Sequence, residues 1–286
     1  MNTTTDAGIA PSTLHKRLFG IGAFFAIWVA NFCYVEHWLG FNPGLPFDAP
    51  PLHERTIASL YVCGAVMMFL AARAPRMSMV RIPTVIAGLF TSTLLLASLL
   101  NLHMFEFGIP DQKPGPWGMD WLRPRFQVDW FWFALYGLCP ILVIRLIRQY
   151  WAAPGAVRHD PLSLVLRLGL WVIALGGGAF ALTLFIAPGF GVGLWPWRVT
   201  PFLAQIYAGP MLAFAVAAGM MAMAPDRRDT FIPAAGLVCF AVLAIAASLW
   251  YLHILQPLGS AAWGWLTGLG YILLVAGASL ATAKRT

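Results

Sequence analysis

The sequence predicts an all-α polytopic membrane protein with eight transmembrane helices, arranged as two parallel four-helix repeats. Three observations predict it. Only 10% of the 286 residues are Asp, Glu, Lys or Arg, against about 25% in a soluble domain. Mean hydropathy is +0.75. The apolar residues lie in continuous runs near the ~20 residues that span a hydrocarbon core. Continuous rather than alternating runs favour helices over a barrel.

The runs cover approximately 18–39, 56–73, 82–105, 129–148, 163–187, 202–224, 231–255 and 262–283. The first follows His15-Lys16-Arg17. It is longer than a signal-peptide apolar region, and no small-residue cleavage site follows, so we read it as a retained helix. Pro75 and Pro225 end the second helix of each half, and Pro83 and Pro233 are placed in the first turn of the third, where a missing N–H costs little. Asp226-Arg227-Arg228-Asp229 reads as a short solvated turn. Gly176-Gly177-Gly178 and the Gly264/Gly268 GxxxG pair read as sites of close helix packing. Met67-Met68 and the methionines at 220, 221 and 223 read as core filling.

Basic residues give the orientation. With the N-terminus inside, thirteen of the eighteen Lys and Arg lie inside; Arg55, Lys113, Arg123, Arg125 and Arg198 lie outside. This positive-inside bias puts both termini in the cytoplasm, and the expected location is a bacterial plasma (inner) membrane. The net charge of +7 then reads as topology with some attraction to anionic headgroups. No compact basic run points to nucleic acid. Cys33, Cys63, Cys139 and Cys239 all sit in apolar runs without metal spacing, and read as small hydrophobes.

An internal repeat organises the chain. Residues 51–105 align with 201–255 without a gap, and 15 of the 55 positions are identical. The matches include rare types: Pro51 with Pro201, Pro75 with Pro225, Pro83 with Pro233, His103 with His253. Leu45-Pro46-Phe47 corresponds to Trp195-Pro196-Trp197, and Trp130-x-Trp132 to Trp263-x-Trp265 at an offset of 133. The expected organisation is a first repeat over 1–148 with a long outer loop at 106–128, a cytoplasmic linker over 149–161, and a second repeat over 162–286. An even helix count per repeat makes the two parallel.

Polar residues within spans are few, and ionisable ones there point to function. They gather at the outer ends, and the cytoplasmic half reads as nearly featureless. His103 and His253 are related by the repeat, and each has a polar partner three residues on, Glu106 and Gln256, on the same helix face. Facing imidazoles would suit a haem or a shared metal. A second cluster, Glu36, His37, His53, Glu54 and Arg55 with Glu106, mixes signs at one depth; Arg55 is expected to pair with Glu36 or Glu106. The second half has Leu203, Ala204 and Gln205 in place of His53, Glu54 and Arg55. Trp195 and Trp197 are candidates for a stacked ligand platform within an outer aromatic belt.

Two parallel four-helix units resemble the architecture of haem A synthases. That family carries Glu-x-x-His-Arg in its second helix, whereas this chain has His53-Glu54-Arg55 at the helix mouth. The resemblance therefore implies architecture and no activity. Nucleotide-binding and common hydrolase motifs are absent from the sequence. The expected function is an integral membrane subunit or binding protein, presenting an outer polar and aromatic site to a membrane-protein partner, a second copy or a hydrophobic ligand. The alternatives are a haem- or quinone-binding electron carrier using His103 and His253, and a lipid-modifying enzyme or small-solute carrier using the Glu/His/Arg cluster.

Overall fold

The computed structural model describes residues 10–39, 45–47, 49–105, 128–151, 160–255 and 259–283, with side chains for all of these but 35–39, 128 and 149–151. Among them the fold is all-helical. The long helices are α1 (Thr13–Leu39), α2 (Pro51–Ala72), α3 (Ser78–Leu100), α4 (Val128–Trp151) and α5 (Leu164–Ile186). A seven-residue α6 (Pro188–Leu194) follows, then α7 (Pro201–Ala222), α8 (Phe231–Trp250) and α9 (Ser260–Ala283). The eight long helices are each long and apolar enough to cross a membrane. At 1.5 Å per residue, the 22 residues of α2 or α7 reach roughly 33 Å, about the hydrocarbon thickness.

Helix ends follow local chemistry. Pro201 opens α7 behind Thr200, whose hydroxyl accepts from Leu203 N–H at 3.2 Å and satisfies one orphan donor of the first turn. Helices α2 and α7 stop at residues 72 and 222, ahead of Pro75 and Pro225. Pro83 departs from expectation: α3 begins at Ser78, so Pro83 lies inside the helix, in its second turn. Pro140 and Pro210 also lie inside helices. In each case the carbonyl four residues earlier loses its helical donor. Buried hydroxyls return to their own helix: Thr56, Thr84, Ser98, Ser248 and Ser279 each donate to the carbonyl four residues back.

Helix α7 is central, with 78% of its span buried, whereas α4 and α5 are 22% buried and form the rim. The packing pairs are informative. Helix α2 lies between α1 and α8, and α8 between α2 and α9; α7 lies between α5 and α3, and α3 between α7 and α4. Within each half the second and third helices hardly touch. The halves are thus intertwined around one core, which draws buried residues from both. Close approach supports the seam between α2 and α8: a Cβ at Gly236 would collide with the Met67 side chain. By contrast, Gly264 and Gly268 lie exposed on α9, and among the described residues a Cβ at either would meet nothing within 4 Å. A Cβ at Gly177 or Gly178 would lie 3.6 or 3.8 Å from the Ala215 side chain of α7, an ordinary contact distance.

The turn at 226–229 is not solvated as expected, and the end of the molecule it closes is not featureless. Asp226 is fully buried and Asp229 nearly so. Asp226 pairs with Arg228 at 2.8 Å and Arg76 at 3.7 Å. Ser78 donates to Asp229 at 2.7 Å. Arg227 pairs with Asp160 at 3.0 Å, and the two segments form an isolated β-bridge through Arg227 N–H to Asp160 C=O and Asp160 N–H to Pro225 C=O. The reason is the seam: the α2–α3 turn and the α7–α8 turn meet, so charges that look solvated along the chain are covered by the other half.

A candidate polar and aromatic site between the halves

At the opposite end, the first turn of α2 carries His53-Glu54-Arg55. His53 and Glu54 are 2% and 1% exposed. A loop from the other half meets His53. His53 Nε2 lies 3.0 Å from the Arg198 carbonyl. That oxygen can only accept, so Nε2 carries the hydrogen and Nδ1 is an acceptor. Nδ1 faces the Tyr207 hydroxyl at 3.1 Å and the Trp197 indole N–H at 3.4 Å. The Tyr207 hydroxyl also reaches the His53 carbonyl at 3.3 Å. The neutral imidazole is therefore satisfied on both nitrogens by groups more than 140 residues away, as a buried polar group requires.

Arg55 finds its described partners on α1. Its guanidinium donates to the Cys33 carbonyl and lies over the Tyr34 ring, 5.4 Å from the centroid. The side chains of Glu36 and His37, and residues Glu106 and Gln256, lie outside the described residues.

Trp195 and Trp197 are not belt residues exposed at an interface. They are 2% and 1% exposed. Trp195 stacks on Tyr207 (4.6 Å, 20°) and on Phe180 (5.8 Å, 9°). Trp197 meets Trp265 edge-on at 5.5 Å, and His53 edge-on at 5.8 Å. Among the described residues the buried Trp195 indole N–H meets no acceptor. Trp130 and Trp263, in contrast, are exposed, while Trp132 and Trp265, two residues on, turn inward. Trp132 donates to Ser98 at 2.9 Å and Trp265 to Ser248 at 3.0 Å.

His103 and His253 lie just beyond the ends of α3 and α8, both exposed. Their rings make no contact with one another; His253 lies 6.2 Å from Tyr251. Among the described residues no three His, Cys, Asp or Glu side chains gather in a group that could hold a metal ion. What closes this end is a pair not linked in the sequence reading: Asn101 donates to the Gln205 side chain at 2.7 Å, and Gln205 donates to the Phe185 carbonyl at 3.0 Å.

Beside the His53 network lies a hollow between α2, α3, α4 and α7, bordered by Leu45, Ile57, Leu94, Trp132 and Pro210. Its cavity volume is about 20 Å³.

No protein-family model matches the chain, and no curated protein or solved structure is significantly similar to it. The functional reading therefore rests on the site itself.

The second-half groups of this site were partly legible. Tyr207, Gln205, Trp195 and Trp197 stand out as polar or aromatic residues near span ends. The Arg198 carbonyl carries no side-chain signal, and nothing in the chain says which of these residues meets His53.

Proposed function

We propose that this is an integral membrane binding protein or subunit, whose seam between the two halves presents a polar and aromatic site to a hydrophobic ligand or a membrane partner. One observation carries the reading. An imidazole and a carboxylate, His53 and Glu54, are taken out of solvent at the mouth of an apolar bundle. Such groups are costly there and mark function more often than packing. The aromatic wall of Trp195, Trp197 and Tyr207 beside them suits an amphiphile, with an apolar body and one polar end.

Our reading of the architecture is two repeats related by an axis along the membrane normal. The offset of 150 residues supports it, as do the matched Trp132–Ser98 and Trp265–Ser248 bonds and the matched seams of α2 on α8 and α7 on α3. The basic-residue bias supports an orientation with the Asp226 end in the cytoplasm and the His53 end outside. Cysteines at Lys16 and Arg198 test this in intact cells. An impermeant maleimide should label Arg198→Cys alone; labelling of Lys16→Cys instead inverts the topology.

The function is tested by extraction in a gentle detergent and native mass spectrometry. A bound lipid-like molecule or a stoichiometric partner is expected, and Trp197→Ala should lose it. A lone monodisperse protein that retains nothing and moves a solute in liposomes rejects the proposal.

A further inference from the structure

Comparison of the halves position by position shows where packing is full and where it is not. In the second half, Phe180, Trp195 and Tyr207 form a stack: Trp195 lies between Phe180 and Tyr207, with Trp265 at 5.5 Å. At the 150-residue offset the first half has Ala30, Leu45 and Ile57 in their places. The frame around them is kept. Phe47 meets Trp132 edge-on at 5.8 Å and 80°, as Trp197 meets Trp265 at 5.5 Å and 89°. Three rings in one half are thus three aliphatic side chains in the other, and the hollow lies against two of these, Leu45 and Ile57.

The hollow's chemistry selects its occupant. Two tyrosines border it, but their hydroxyls are engaged elsewhere. Tyr61 bonds Tyr136, and Tyr207 bonds His53. The remaining lining is aliphatic and aromatic. A water there would lack the two to four polar partners it needs. An apolar group loses nothing and gains dispersion contacts with the lining.

We propose that this hollow is a binding site for the end of a hydrocarbon tail, belonging to an amphiphile whose polar part sits toward the His53 end. The proposal rests on the reading of the protein as one that holds a hydrophobic ligand. It adds which part of that ligand goes where: the tail replaces the ring that Trp195 supplies in the second half.

The test uses the full chain in nanodiscs with two probes, a phosphatidylcholine with a diazirine at the tip of one acyl chain and a polyprenol tipped in the same way. Cross-links mapped by mass spectrometry are expected at Leu60, Phe90 or Leu94, from whichever probe has the matching tail. Straight and branched tails are thereby distinguished. Leu45→Trp copies the second half's own packing and should cut this labelling about tenfold, equivalent to about 1.4 kcal/mol. Labelling of rim residues Val172 and Leu175 should stay unchanged. Leu94→Ala enlarges the hollow and should raise the labelling, which keeps the test decisive if the tryptophan variant folds poorly. Labelling confined to the rim, or labelling of the hollow that ignores both substitutions, overturns the proposal. If the native protein retains an amphiphile in detergent yet its tail never labels the hollow, the tail site fails while the function stands. If nothing is retained and neither probe labels the hollow, both fail.

Discussion

His53 is the residue on which most of the polar structure at its end depends. Its two nitrogens answer the Arg198 carbonyl on one side, and Tyr207 and Trp197 on the other. Replacement by alanine leaves those partners buried without it, which costs about 1–3 kcal/mol. His53→Ala should therefore lower the melting temperature of the purified protein by several degrees, read by intrinsic fluorescence. His103 and His253 give the opposite expectation. Both are exposed, and exposed substitutions usually stay within about 0.5 kcal/mol. The double alanine variant should melt with the native protein; a clear loss would show that these side chains carry structure. The sequence marked all three histidines as candidates, in two separate groups. What separates them is burial, and burial comes from a loop about 145 residues away in the chain.

At the scale of the element, helix limits were legible wherever the chain itself supplies the terminating group. Pro75, Pro225 and Pro201 act on the backbone of their immediate neighbours, so they speak through sequence alone. Thr200 belongs with them: its hydroxyl accepts the Leu203 N–H. Thr200→Ala should destabilise the protein by about 1 kcal/mol, and Thr200→Ser should restore most of it. Equal melting of the three proteins would show that α7 is held by packing alone. Pro83 was less legible. An apolar count that stops at Arg81 starts the third helix at Ile82, whereas the four residues Ser78 to Arg81 already have helical structure. Hydropathy locates the hydrocarbon; it does not locate the end of a hydrogen-bond ladder. The tryptophans divide for a similar reason. Trp130 and Trp132 are two residues apart on one helix, so they point to different sides, and one faces outward while the other reaches Ser98.

At the scale of the molecule, the strongest consequence is the intertwining of the halves. Helix α2 depends on α8, and α3 on α7, so neither half encloses its own core. Residues 1–155 and 156–286 expressed separately should fail to give stable protein. Co-expression should restore a complex that copurifies at one-to-one stoichiometry. Two independently stable halves would contradict a shared core. The seam also gives a dependence on pH. Burial alone would raise the Asp226 carboxyl, but hydrogen bonds from Arg228 and the charges of Arg228 and Arg76 outweigh it and hold it below the ordinary range. The unfolded chain, with a value near about 3.9, takes up the proton first as pH falls. The stabilisation is therefore complete above pH ~4 and is lost as acid titrates the carboxyl in the folded protein. Ser78 and Asp229, and the Arg227–Asp160 pair beside them, complete the cluster. Asp226→Asn should flatten the acid limb of a stability-against-pH curve and lower the plateau at neutral pH. A native-like acid limb in that variant would place the effect on another group.

The sequence alone determined the eight apolar stretches of membrane-spanning length and the internal match, because each of these depends on residues read along the chain. The low charge, the length of the apolar runs and the proline positions need no partner to act. The tertiary structure alone decided which polar residues meet. His53 with Tyr207, Asn101 with Gln205, and Arg76 with Asp226 are each joined across the seam between halves. The same seam decided that tryptophans and aspartates with the appearance of surface residues are buried. The physical reason is that a buried polar group must find its partner in space. Helix packing brings that partner close, and no periodicity along the chain records it.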